Sequence, residues 1–203
     1  MIRYLGRKQT SKQDDWLYAL EHIEDLITPE EVREYADRAV EEIKENTAGK
    51  KAAFAWSGGK DSIVLGKLCE RAGIAKGFYA YSDLDYPAFV EWCRTNRPEG
   101  VEMMHTGYNL EWLEQHQNLL FAEGQIGQRW HLINQRGPFT QMFFDNGLDM
   151  LIVGHRVIDG NVCGEKGFIR KKTGENGRTL FLIDSPLLWN LAVEKVDLFQ
   201  NWQ

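Results

Sequence analysis

The chain has 203 residues, 43% hydrophobic and 27% charged, with a formal net charge of -6. That is enough chain for one well-buried core and too apolar for a disordered segment. The acidic balance argues against unspecific attraction to nucleic acid or to an anionic membrane.

No apolar run approaches the roughly 18 residues of a membrane span, and the opening MIRYLGRKQTSKQDDW holds no signal-peptide core. A cytoplasmic protein without membrane contact is expected. Cys69, Cys93 and Cys163 are far apart and form no CxxC pair. Neither a disulfide framework, a zinc site nor an iron–sulfur cluster is expected from them.

The first fifty residues read as helical. Asp14 to Leu26 carries Trp16, Leu17, Leu20, Ile23 and Leu26 near helical spacing. Thr28-Pro29-Glu30-Glu31 opens a second helix, with Thr28 as cap, Pro29 at the first helical position and Glu31 closing a capping box. It is expected to run to about Glu45 and to stop in Asn46-Thr47-Ala48-Gly49. Residues 1–48 thus form an N-terminal helical extension whose apolar stripes are too small for a core of their own. They are expected to dock on the rest of the chain, on a second copy or on a partner protein.

Residues 49–203 alternate short apolar runs with longer amphipathic ones. Lys51–Trp56, Gly77–Tyr81, Val101–His105 and Met150–Gly154 read as buried strands. Helix candidates fall at Asp61–Ala72, Pro87–Asn96, Leu110–Phe121 and Pro138–Asn146. The alternation predicts an α/β fold: an open, doubly wound, mainly parallel sheet with helices on both faces. Phe168–Lys172 and Thr179–Asp184 flank Asn176-Gly177 and predict a hairpin. A last helix is expected from Trp189 to Phe199. Trp92, Trp112 and Phe143 fall within amphipathic runs and are expected in the core.

The stretch AFAWSGGKDS, Ala53 to Ser62, ends an apolar strand in two glycines and turns polar within four residues. Glycines let a ligand approach the main chain, and successive amides in such a turn form an anion nest. The helix starting near Asp61 adds its positive end. Ser57 and Ser62 supply hydroxyls and Lys60 a mobile charge, so the stretch reads as a phosphate cradle. Gly59 is the position where a side chain is expected to intrude on the ligand or to force a strained backbone angle. Neither GxxxxGK[ST] nor GxGxxG occurs.

The order SGGKDS after a strand resembles the PP-loop of the ATP pyrophosphatase, or adenine nucleotide alpha hydrolase-like, superfamily. From about Lys51 to Phe199 the chain resembles the phosphoadenosine phosphosulfate (PAPS) reductase-like branch. Leu84-Asp85-Tyr86-Pro87 is similar to that family's pattern after the second strand. Gln135-Arg136-Gly137-Pro138 stands where the family has Lys and Pro, Gly154-His155-Arg156 resembles its GxR, and Ser185-Pro186-Leu187-Leu188-Trp189 its NPL-x-W segment.

The resemblance implies an enzyme that binds ATP or PAPS and transfers an adenylyl or sulfur group, with pyrophosphate release in the ATP case. The implied nucleotide-binding set is Ser57, Gly58, Gly59, Lys60, Asp61, Ser62, Asp85, Arg136 and Arg156, with Lys60 and Arg156 catalytic. Lys166 and Arg170 join it as part of a basic stretch with Lys171 and Lys172 that is expected to cover the same mouth. Mg2+ is expected on Asp61, or on Asp83 with Asp85, since it takes one or two carboxylates plus substrate oxygens. Asp83 and Asp85 also read as a cap for the helix at Pro87. His105 and His155, at strand ends, are candidate acids or bases.

The family's assimilatory reductases attack PAPS with a tail cysteine, whereas no cysteine follows Cys163 here. Thiol-based reduction by this chain alone is therefore not expected. A reductase served by a partner's thiol and a non-catalytic nucleotide-binding regulatory subunit are the alternatives. Sulfate, a small metabolite and a nucleic acid all fit as acceptor.

Overall fold

The computed structural model describes residues 13–119, 133–134, 137–154, 169–173 and 179–183. The chain opens with α1 (Gln13–Glu21), α2 (Ile23–Leu26) and α3 (Pro29–Thr47). The single helix expected over 14–26 is broken at His22, whose backbone leaves the helical region at φ -119° and ψ 27°. Leu17 and Leu20 are exposed, and among the described side chains of this stretch Ala19 and Ile27 are buried.

The start of α3 follows the sequence closely. Thr28 Oγ1 accepts the Glu31 amide at 3.2 Å, and Glu31 Oε2 accepts the Thr28 amide at 2.8 Å. Such a cap is worth about 1 kcal/mol. Its buried stripe is Ala39, Val40 and Ile43, and it packs beside α4 (Lys60–Arg71) in the main core.

The described strands form one six-stranded sheet in the order β3-β2-β1-β4-β6-β5. They are β1 (Ala52–Ala55), β2 (Gly77–Tyr81), β3 (Val101–His105), β4 (Met150–Ile152), β5 (Ile169–Thr173) and β6 (Thr179–Ile183). All neighbours are parallel except β5 and β6, which pair antiparallel as the Asn-Gly spacing predicts. The remaining elements are α5 (Pro87–Asn96), α6 (Leu110–Gln115) with a 3-10 turn at Gln117–Leu119, and α7 (Gly137–Asp145). The expected Trp189–Phe199 helix lies outside the described residues.

Side-chain alternation along each strand explains the two layers. Phe54, Tyr79, Met150 and Ile152 face a core built with α3, α4 and Cys93 of α5. Ala53, Phe78 and Leu151 face the opposite core, built with Met142 and Phe143 of α7. The sheet is thus doubly wound, and Phe143 is fully buried as expected. β3 departs from the buried strand that was expected: only Val101 is buried, because β3 is the edge.

Strand order reverses direction at β1, since β2 and β3 lie on one side and β4 on the other. In open α/β sheets ligands bind beyond the carboxyl ends of the strands at such a switch point. The chain leaves β1 there into Ser57.

Candidate functional site

Trp56 is the last residue anchored to the sheet, its amide donating to Phe78 O at 2.8 Å. The loop then turns at Gly58, with φ +73°. A Cβ there would stand 2.5 Å from Cys93 Sγ, 3.1 Å from Phe89 Cζ and 3.3 Å from Trp92 Cζ3. Gly58 is required both by its backbone angle and by α5 pressing on it. Gly59, in contrast, has φ -74° and ψ 157°, a conformation open to any residue. The strained angle expected at Gly59 belongs to Gly58. Among the described residues, a Cβ on Gly59 would meet only Ser57 Oγ, at 3.4 Å.

Ser62 ties the loop to the helix. Its hydroxyl donates to Gly59 O at 2.9 Å and accepts the Ser57 amide at 3.0 Å, and Ser57 Oγ lies 3.2 Å away. The two hydroxyls expected to face a ligand instead hold each other. No side chain caps α4. Its first amides lack intrahelical acceptors and carry the positive end of the helix dipole. Lys60 Nζ lies 2.8 Å from Asp61 Oδ1, so the loop's cation and its carboxylate are paired.

At the end of β2 the two aspartates have separate duties. Asp85 Oδ2 accepts the Ser82 amide at 2.7 Å and the Ser82 hydroxyl at 3.0 Å, closing a turn around that buried serine. Asp83 Oδ1 lies 2.8 Å from His105 Nε2. Neither caps α5, which starts after Tyr86 with no side-chain cap. Among the described residues no group of three metal-ligating side chains comes together.

Ser57 to Ser62 are brought together at the switch point. Arg136, Arg156, Lys166, His155 and Cys163 lie outside the described residues. The backbone of Arg170 pairs with Leu182, which is abreast of Leu151 and then Ala53. Three strand spacings, roughly 14 Å, separate it from β1.

Cys69 and Cys93 are both fully buried, and burial pushes the thiols of both upward. Burial also raises Tyr79, with Cys93 beside it. Neither described thiol is a ready nucleophile. Trp92 was expected in the core but is 42% exposed, as is Phe89 at 38%. The two stack 6.0 Å apart beside Gly58, so their helix face meets the loop rather than the sheet. Trp112 is half-buried against Tyr108 and His116.

No protein-family model and no curated protein matches the sequence. Among solved structures, the chain is similar to the crystal structure of phosphoadenylyl-sulfate (PAPS) reductase from Candida auris in complex with phosphate, with a TM-score of 0.55 and 12% identity over 95% of this chain and 88% of that one. The chain shares the fold of a PAPS reductase. That PAPS reductase-like fold agrees with the doubly wound sheet and with a loop at the end of β1. No helix among the described residues is long and apolar enough to cross a membrane.

Proposed function

We propose that the chain binds ATP or PAPS on the Ser57–Ser62 loop and uses it for adenylyl or sulfur-group transfer, with pyrophosphate leaving in the ATP case. The observation that carries this is the position of an uncapped helix start, reached through Gly58 at φ +73°, at the switch point of a PAPS reductase-like sheet. Phosphate oxygens would accept the free amides of the first turn of α4. Lys60 would leave Asp61 to meet charge developing on the leaving group. Asp61, released, is the carboxylate best placed to carry Mg2+ against the phosphates. Arg136 and Arg156 join the site on the strength of the sequence resemblance, and Lys166 as part of the basic stretch Lys166 to Lys172. The N-terminal helices are the surface for a partner or a second copy.

A second reading, a PAPS reductase that takes its thiol from a partner, is favoured by one fact. Both described cysteines are buried and raised. Thermal shifts against ATP, AMP, adenosine phosphosulfate and PAPS, with and without Mg2+, test binding. Pyrophosphate released from labelled ATP supports the first reading, and sulfite formed from PAPS with a thiol donor supports the second. Binding without turnover under either condition points to a regulatory subunit. No shift with any nucleotide removes both enzyme readings.

A further inference from the structure

A second polar feature stands on the same edge of the sheet, outside the loop. Ala55 pairs with Phe78 and Tyr81 with His105. Tyr81 and His105 end β2 and β3, on the same carboxyl edge of the sheet where β1 hands over to the loop. β3 lies two strand spacings, roughly 10 Å, from β1. An acceptor lying against a nucleotide on the loop can bridge that gap.

Exposed ion pairs usually contribute little and keep no fixed geometry. The His105–Asp83 pair is held differently. The Asp83 amide donates to Tyr108 O at 3.0 Å, and the Thr106 amide donates to Tyr81 O at 2.8 Å, so the backbone on both sides is pinned. Tyr81 stands edge-on to the imidazole at 5.2 Å and stacks on Tyr79 at 5.8 Å. Arg94 of α5 lies against Tyr81 and pairs with Glu91. Among the described residues the ionisable groups around His105 are Asp83, Tyr81 and, behind Tyr81, Arg94 with Glu91. With Nε2–H donated to Asp83, Nδ1 keeps its lone pair. Among the described residues nothing hydrogen-bonds Nδ1. One nitrogen fixed by a carboxylate and the other open is the arrangement of a general base.

We propose that His105 is the base that takes the proton of the acceptor nucleophile, with Asp83 as its positioning residue. This rests on the nucleotide reading above and narrows the acceptor to a hydroxyl, an amine or a thiol. The acceptor atom attacks the α-phosphorus of ATP and forms the new bond. The bond from that phosphorus to the bridging oxygen breaks, its electron pair leaves with pyrophosphate, and the acceptor's proton passes to Nδ1.

The full chain, β-labelled ATP and hydroxylamine as a neutral nucleophile suffice for the test. His105→Ala should bind ATP like the parent by calorimetry but release pyrophosphate about 100-fold more slowly. Added imidazole should restore part of that rate in His105→Ala and add nothing to the parent. Asp83→Asn should cause a smaller loss. His105→Gln replaces the alanine variant if circular dichroism finds it unfolded. A parental rate in His105→Ala, a loss that imidazole leaves untouched, or a parent that binds ATP yet releases no pyrophosphate overturns the proposal alone. A parent that binds PAPS but not ATP overturns the proposal alone, and a parent that binds neither takes down the nucleotide reading and the proposal with it.

Discussion

Gly58 and Cys93 occupy adjoining space: a Cβ on Gly58 would stand 2.5 Å from the Cys93 sulfur. The loop after β1 and the helix after β2 are thereby locked in one position. Gly58→Ala should cost about 1–2 kcal/mol for the left-handed angle alone, and more for the sulfur contact. Cys93→Ala in the same chain removes the contact but not the angle. The double variant should therefore be more stable than the sum of the two single losses, by at least about 0.5 kcal/mol. Urea unfolding of the four chains measures this. Strict additivity would mean that α5 does not press on the loop.

Ser62 is the second device that shapes the loop. Its hydroxyl joins Gly59 O, the Ser57 amide and Ser57 Oγ. Ser62→Ala should lower stability by about 0.5–1.5 kcal/mol and weaken ATP. Ser62→Thr, which keeps the hydroxyl, should recover most of both. ATP binding unchanged in Ser62→Ala, by calorimetry, removes the hydroxyl from any part in the site.

Much of this arrangement was legible where chemistry is local. The Thr28–Glu31 box, the strands Gly77–Tyr81 and Val101–His105 and the helix Pro87–Asn96 all stand where period and punctuation put them. What could not be read depends on partners distant in sequence. Which of two adjacent glycines is strained is decided by α5, some thirty residues on. The Asp83–His105 contact follows from the β2–β3 register, which sequence spacing does not reveal. Trp92 has an amphipathic period, but a period says only that a helix has a face, not what lies opposite it. A hydroxyl such as that of Ser62 looks the same in sequence whether it meets a ligand or its own loop.

Alkaline pH offers an independent check on the core. Burial pushes the Cys69 thiol up, whereas in the unfolded chain a thiol ionises near pH 8.5. Above that pH the folded chain holds a proton that the unfolded chain has lost, so stability falls as pH rises. Below it the group has no effect. Urea midpoints at pH 7 and pH 10 should show this fall. Cys69→Ala should be less stable at pH 7 but should lose less on going to pH 10. An equal loss in both chains assigns the alkaline sensitivity to other groups.

Arg156 follows the Gly154-His155 pair in the family-like GxR setting. If it meets the anionic end of the nucleotide, Arg156→Ala should weaken ATP and PAPS by roughly 1.5–3 kcal/mol, the scale of one charge-assisted hydrogen bond. Adenosine should bind the variant as it binds the parent. Equal losses for all three ligands in parallel titrations would place the side chain elsewhere.

Gly59 separates shape from strain. Its backbone is ordinary, at φ -74°, and among the described residues a Cβ there would meet only Ser57 Oγ at 3.4 Å. Gly59→Val should therefore leave stability within about 0.5 kcal/mol of the parent, because nothing in the loop resists the side chain. It should nonetheless abolish ATP binding, since the new atoms fill the space in which a phosphate must approach the amides. Lys60→Ala is the complementary change. Its partner Asp61 is 2.8 Å away and both are partly exposed, so breaking the pair costs at most about 1 kcal/mol. ATP should still bind Lys60→Ala while pyrophosphate release slows, because a mobile cation contributes most as charge builds on the leaving group. Calorimetry with circular dichroism on both variants separates the two effects. If Gly59→Val binds ATP and PAPS like the parent, the loop is only a turn between β1 and α4, and the nucleotide reading fails.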